Sequence, residues 1–202
     1  MTPDRVIDAA RLEAACRELI DRYDVAGWWP AQTQFEVLVG AVLVQNTRWA
    51  NVSAAITQLR RAGYLAPRAL CAIPALQLQE LIRSAGCQRV KTRRLVSLAA
   101  WIEESGGLAS LGSRPTATLR AALLGVHGIG HETADVILAF GFGRRVFVAD
   151  RYARSWLMRM GFVDDAGVGY YESCRRTVES ALADSAICLN DLHAAIVLHG
   201  QD

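Results

Sequence analysis

The chain has 202 residues, 52% of them hydrophobic, which is enough for one large domain or two lobes with a real core. Its 22 Lys and Arg against 20 Asp and Glu give a formal net charge of +2, which excludes a basic tail but not a local basic face. Five scattered cysteines (Cys16, Cys71, Cys87, Cys174, Cys188) with no C-x-x-C pair argue against a disulfide framework or zinc site, and the apolar runs are too short to span a membrane.

In chain order, Arg5 to Tyr23 predicts an amphipathic helix, with Val6, Leu12, Cys16, Leu19, Ile20 and Tyr23 at helical spacing. The charged start, Met1 to Ala15, is unlike a signal peptide, so an intracellular chain is expected. Gly27-Trp28-Trp29-Pro30 interrupts, because proline restricts the residue before it. Phe35 to Gln45 and Asn51 to Ala62 predict the next helices, then Leu76 to Ala85 and Lys91 to Glu104 around Gly86. Pro115 to Leu124 and Glu132 to Phe140 follow, then Arg151 to Met160, Tyr171 to Ala183 and Leu189 to His199. Only Arg145 to Ala149 reads as a short strand, so the expected architecture is all-α with about ten helices.

Two stretches carry chemistry. In Leu124-Gly125-Val126-His127-Gly128-Ile129-Gly130-His131-Glu132-Thr133-Ala134, two glycines flank one apolar residue between two helical patterns. That spacing permits a tight hairpin whose N–H groups open a helix, where the dipole favours an anion such as phosphate. An ordinary helix–turn–helix corner without a ligand reads the same way. Downstream, Val146-Phe147-Val148-Ala149 ends in Asp150, which reads either as the N-cap of the following helix or as a chemical carboxylate, and one residue can be both. The arginine pairs at 60–61, 144–145 and 175–176, and the run 89–94, read as solvated surface or, on a shared face, as a phosphate footprint. The histidines His127, His131, His193 and His199 have no metal spacing.

Val126 to Ala134 followed by Val148-Ala149-Asp150-Arg151 resembles the helix-hairpin-helix, Gly/Pro-rich, aspartate (HhH-GPD) signature of the endonuclease III superfamily of DNA glycosylases. Trp28-Trp29-Pro30, Gln45-Asn46-Thr47, Trp49, Gly130 to Asp135 and Leu198-His199-Gly200 resemble its iron–sulfur-free 3-methyladenine branch, across nearly the whole chain. The resemblance implies two helical lobes with a cleft between them: residues 1–52 and 138–202 as the terminal lobe with the aspartate, and 53–137 as the central lobe with the hairpin. It also implies a monomer in a prokaryotic cytoplasm, associated with the nucleoid, acting on double-stranded DNA with alkylated or damaged bases.

The same resemblance assigns the site. Asp150 is the catalytic carboxylate, opposite a developing oxocarbenium charge on a flipped nucleotide. Trp29 and Trp49 sandwich the base, with Pro30 alongside, and Gln45 fills the gap left in the duplex. A positively charged N-alkylated purine suits an indole face, by about 0.5–2 kcal/mol. Both tryptophans also read as ordinary core residues. Gly128, Gly130 and Glu132 present amides to phosphate. Apart from the resemblance, Arg48 reads as a phosphate contact or as solvated surface. Carbonyls of Leu124, Val126 and Ile129 would hold a monovalent cation, Na+ or K+; no other cofactor is expected, and no iron–sulfur cluster. Glu132 stands where bifunctional relatives carry a Schiff-base lysine, which predicts no β-lyase activity. Lys91 reads as a solvated lysine rather than a replacement amine. Gln201 stands where branch members carry a lysine near the pocket. A uracil or mismatch glycosylase, or a non-catalytic protein holding damaged or abasic DNA, are the alternatives.

Overall fold

A computed structural model describes residues 8–164 and 169–202. Among the described residues there are twelve α-helices and no strand. By contact the chain divides into two units, one of Met1–Pro30 with Gly143–Asp202 and one of Ala31–Phe142.

The continuous unit is built around α2 (Gln34–Leu43), whose residues from Phe35 to Leu43 are all buried. Such a helix is apolar all round because neighbours cover every face. Here they are α3 (Trp49–Arg61), α6 (Gln88–Glu104), α9 (His131–Val136) and the π-helical turn Ile137–Gly141 that extends α9. Thr33 starts α2 by accepting from the Glu36 amide at 3.2 Å. The buried Glu36 carboxylate also takes the Arg60 guanidinium at 2.7 Å and the Gln32 amide. A Cβ on Gly141 would lie 2.6 Å from Leu38 Cδ1, so that glycine permits the close approach to α2. The short helices α4 (Pro67–Ala72), α5 (Ala75–Leu81), α7 (Gly107–Gly112) and α8 (Thr116–Leu124) complete the unit; α4 packs on α6 and α8 on α9.

The discontinuous unit joins α1 (Ala9–Arg22) to α10 (Arg151–Arg159), α11 (Tyr170–Ala181) and α12 (Leu189–His199). Its core draws on Leu12 and Cys16, Phe147, Trp156 and Leu157, Val178, and Leu192 and Ile196. Fully burying each such apolar side chain contributes about 1.5–3 kcal/mol.

Sequence and structure differ in the bounds of the units and of two helices. The division lies at Pro30 and Phe142 rather than after residues 52 and 137, because α2 packs on α6, α9 and the π-helical turn, and α3 packs on α2 and α5. The first helix begins at Ala9, capped by Asp8, and the expected start at Arg5 lies outside the described residues. The expected helix from Leu76 to Ala85 is broken into α5 and a 3-10 turn at Arg83–Ala85.

Candidate functional site

Among the described residues, Arg145 to Ala149 forms neither helix nor strand. The short strand expected there is corrected. The run is apolar because Val146 to Ala149 are buried, and its backbone groups still need hydrogen bonds. Side chains supply them. The Phe147 amide donates to Glu179 Oε1 at 2.9 Å, and the Val148 carbonyl accepts from the His193 imidazole. Arg145 pins the start of the run by donating to the carbonyls of Ile187 at 2.7 Å, Ser185 at 3.1 Å and Leu182.

This held segment delivers Asp150 to the N-terminus of α10. Its Oδ1 accepts from the Ala153 amide at 2.8 Å, so it is an N-cap. Burial pushes its pKa up to about 6, against the pull of the Ala153 and Tyr152 amides and of the Arg151 charge. The carboxyl is thus anchored by amides of the first turn of α10, half-buried, and ionised at neutral pH. Beside it the Cys174 thiol is raised to about 11 and the Tyr170 hydroxyl is raised as well, in each case mainly by burial with a contribution from Asp150. Arg154 covers the Tyr170 ring at 4.5 Å. An anchored, poorly solvated carboxylate can stabilise a positive charge that develops against it.

The tryptophan turn belongs to the same unit. Trp28 and Trp29 are half-buried and Pro30 is exposed. The two indoles meet at 5.9 Å and 64°, and Trp28 stands edge-on to His193 at 5.5 Å and 85°. His193 is only 4% exposed, and burial lowers its pKa to about 4, so the ring is neutral. The chain end is fixed nearby in the unit. Tyr23 donates to Asp202 Oδ2 at 2.7 Å and lies 3.0 Å from His199 Nδ1. A Cβ on Gly200 would sit 2.3 Å from the Tyr152 ring, which is the physical reason for glycine after His199. Gln201 is exposed.

The glycine hairpin lies in the continuous unit, between α8 and α9. Gly128 has φ +83°, a conformation that favours glycine, and a Cβ there would lie 2.2 Å from Arg94 Cγ. Gly130 is extended and opens α9, and Glu132 sits exposed in its first turn. Among the described residues, neither the Gly128 nor the Gly130 amide donates to a backbone carbonyl. The Val126 carbonyl accepts from Ile129 at 3.1 Å. The fully buried Asp135 carboxylate on α9 takes Arg120 of α8 in a two-pronged pair at 2.6 and 2.9 Å, which clamps the helices flanking the hairpin.

Gln45 is a bracket for this hairpin. Its amide donates to the Gly128 carbonyl at 3.1 Å and to Thr133 Oγ1 at 2.9 Å, and its oxygen accepts from Arg94. Next to it, Arg48 is exposed and Trp49, the first residue of α3, is half-buried. Neither Trp29 nor Trp49 is a fully buried core residue. Lys91 is a correction. It is not solvated but 2% exposed, and its ammonium donates to the carbonyls of Leu43 at 2.9 Å and Ala85 at 2.7 Å. It satisfies carbonyls left over where α2 and the 3-10 turn end.

The structure therefore gathers Asp150 with the tryptophan turn in one unit, and Gln45 with the hairpin, Arg48 and Trp49 in the other. Sequence reasoning missed His193, Glu179 and Arg145 as the holders of the Asp150 segment. It also missed Arg94 and Arg120 as the supports of the hairpin.

Known proteins are similar to this chain in sequence and fold. Residues 39–180 match the family described as HhH-GPD superfamily base excision DNA repair protein. A protein of Methanocaldococcus jannaschii whose name places it among DNA repair glycosylases is 36% identical over 184 residues, covering 90% of this chain and 83% of its own. Endonuclease III of Thermotoga maritima is 28% identical over 152 residues, 75% of this chain and 67% of its own. The crystal structure of H. pylori 3-methyladenine DNA glycosylase bound to 1,N6-ethenoadenine is similar with a TM-score of 0.76 at 25% identity, covering 96% of this chain and 95% of that one. The family match spans both the hairpin and the aspartate, so the chain belongs to the HhH-GPD superfamily of base excision DNA repair proteins and is a DNA glycosylase.

Proposed function

We propose that this glycosylase is monofunctional, acts as a monomer on double-stranded DNA, and hydrolyses the N-glycosidic bond of alkylated purines, 3-methyladenine first. The observation that carries the reading is the linkage of the Trp28–Trp29 turn to the Asp150 segment through His193 within one unit. An indole face attracts a cationic base, and an alkylated purine is already activated as a leaving group, so a strong general acid is not needed. The likeness to the H. pylori enzyme, which is named for 3-methyladenine, supports the same reading.

In the proposed reaction the lesion is rotated out of the duplex onto Trp29, with Pro30 beside it. As the bond to the base breaks, positive charge grows on the sugar, and the ionised Asp150 stabilises it and orients the attacking water. The hairpin amides of Gly128, Gly130 and Glu132, with Arg48, hold phosphates. Glu132 cannot form an imine with the sugar, so the abasic site is released intact. The carbonyls of Leu124, Val126 and Ile129 are uncharged oxygen donors on one short turn, a donor type that fits Na+ or K+. Such an ion would supply positive charge to the phosphate-binding turn and take no part in bond breaking.

The test is release of free 3-methyladenine from methylated duplex DNA, run beside uracil, mismatch and abasic duplexes. Release of the alkylated base, without strand scission and without a borohydride-trapped adduct, is the expected result. Preferential release of uracil or thymine defeats the alkylpurine assignment. Salt-sensitive binding with no base released from any duplex defeats catalysis.

A further inference from the structure

We infer that His193 is a positioning residue that couples the base-holding tryptophan turn to the catalytic carboxylate. This rests on the assignment of Trp29 and Asp150 above.

His193 lies on α12, among the buried residues Leu192 to Val197. It has two contacts in different directions. Its imidazole donates to the Val148 carbonyl, two residues before Asp150. Its ring takes the edge of Trp28 at 5.5 Å and 85°, and Trp28 in turn meets Trp29 at 5.9 Å. A single rigid side chain therefore sets both the register of the carboxylate and the seat of the indole. A buried segment that is neither helix nor strand depends on such side-chain bonds to stay in place. Aromatic pairs at this spacing are favourable and directional. Burial keeps the ring neutral at working pH, so it holds the segment as a hydrogen-bond donor and not as a cation.

The two contacts can be removed separately. His193→Phe keeps a ring against Trp28 and loses the donor to Val148. His193→Gln keeps a donor of similar reach and loses the ring. With methylated duplex DNA as the probe, His193→Phe should lower kcat roughly 10- to 100-fold with little change in KM, since small misplacements of a reacting group have effects of that size. His193→Gln should instead raise KM roughly three- to tenfold and largely restore kcat. Affinity for an abasic duplex should stay within twofold of the parent in both. If neither variant folds, Trp28→Leu tests the ring contact from the other side and should raise KM while kcat is kept.

A His193→Phe variant with normal kcat overturns the proposal, as does a loss of kcat and KM in the same proportion in both variants. Asp150→Asn separates this failure from failure of the underlying assignment. Full activity in Asp150→Asn removes the assignment itself, whereas an inactive Asp150→Asn beside unaffected His193 variants removes only the role given to His193.

Discussion

The side-chain amide of Gln45 donates to the carbonyl of Gly128 at 3.1 Å, across 83 residues of sequence. Its second proton goes to Thr133 Oγ1 and its oxygen takes Arg94, so one amide spans the hairpin turn and the helix that follows. A residue expected to reach into a duplex is thus an internal brace of the hairpin proposed to hold phosphate, and leaving that brace would cost it three protein hydrogen bonds. Gln45→Leu, close in volume, strips all three. Leaving their part-buried partners unmatched costs about 1–3 kcal/mol, or roughly 2–10 °C in Tm for a chain of this size. Thermal unfolding and binding to an abasic duplex should both weaken. An unchanged Tm with weaker binding would show that Gln45 acts on DNA alone.

Gly128 offers a sharper test of the hairpin. Any side chain there meets both the left-handed backbone at φ +83° and the Arg94 stem, 2.2 Å from the added carbon. Gly128→Ala should lower DNA affinity and stability, with about 1–2 kcal/mol from the backbone alone. Arg94→Ala frees the space but not the backbone. The double variant should therefore recover part of the loss, a coupling readable in a double-mutant cycle. Strict additivity of the two substitutions would mean that the arginine stem does not hold the turn.

How far these features were legible in the sequence follows from how local their causes are. The hairpin was legible because glycine spacing is a local backbone requirement. Asp150 was legible at its position, and of its two readings the cap is what the structure displays. Lys91 was misread although the signal was present: it lies four residues before Leu95 and seven before Leu98, on the buried stripe of α6. Charge was weighed above periodicity, and the carbonyls that satisfy it come from Leu43 and Ala85, one of them far away in sequence. The holders of the Asp150 segment were hidden for the same reason. Glu179 acts from 32 residues beyond Phe147, and no pattern along the chain connects them. The short helices α4 and α7 have too few residues to show a period.

Lys91 itself carries a prediction. Its ammonium is buried and joined to two carbonyls, and burial depresses its pKa. Lys91→Ala removes both donors and the packed stem and should destabilise by about 2–4 kcal/mol. Lys91→Met keeps the stem and should lose less. Neither should alter the borohydride-trapping result with abasic DNA, because the amine faces backbone oxygens. Appearance of a trapped adduct in the parent and its loss in Lys91→Met would reverse this view and make Lys91 a nucleophile.

Asp150 links pH to both stability and turnover. Its carboxyl titrates near 3.8 when unperturbed and is pushed up to about 6 in the folded chain, chiefly by burial. Below the lower value it is protonated folded or unfolded, and no difference arises. Between the two the unfolded chain gives up its proton first, so a destabilising contribution grows with pH. Above the upper value it is complete, at about 3 kcal/mol. Asn caps a helix as well as Asp does and carries no charge to desolvate. Asp150→Asn should therefore raise Tm at about pH 7.5, with the gain fading toward about pH 4. Turnover should move the other way. It needs the ionised carboxylate, so the parent should lose activity as pH falls through about 6, and the variant should be roughly 100-fold or more slower throughout. A variant that is both more stable and inactive is the signature of a residue kept for chemistry against the preference of the fold. A parent rate that is flat across this range, or an Asn variant no more stable than the parent at neutral pH, would mean that the carboxylate is not held at the site in the buried state described.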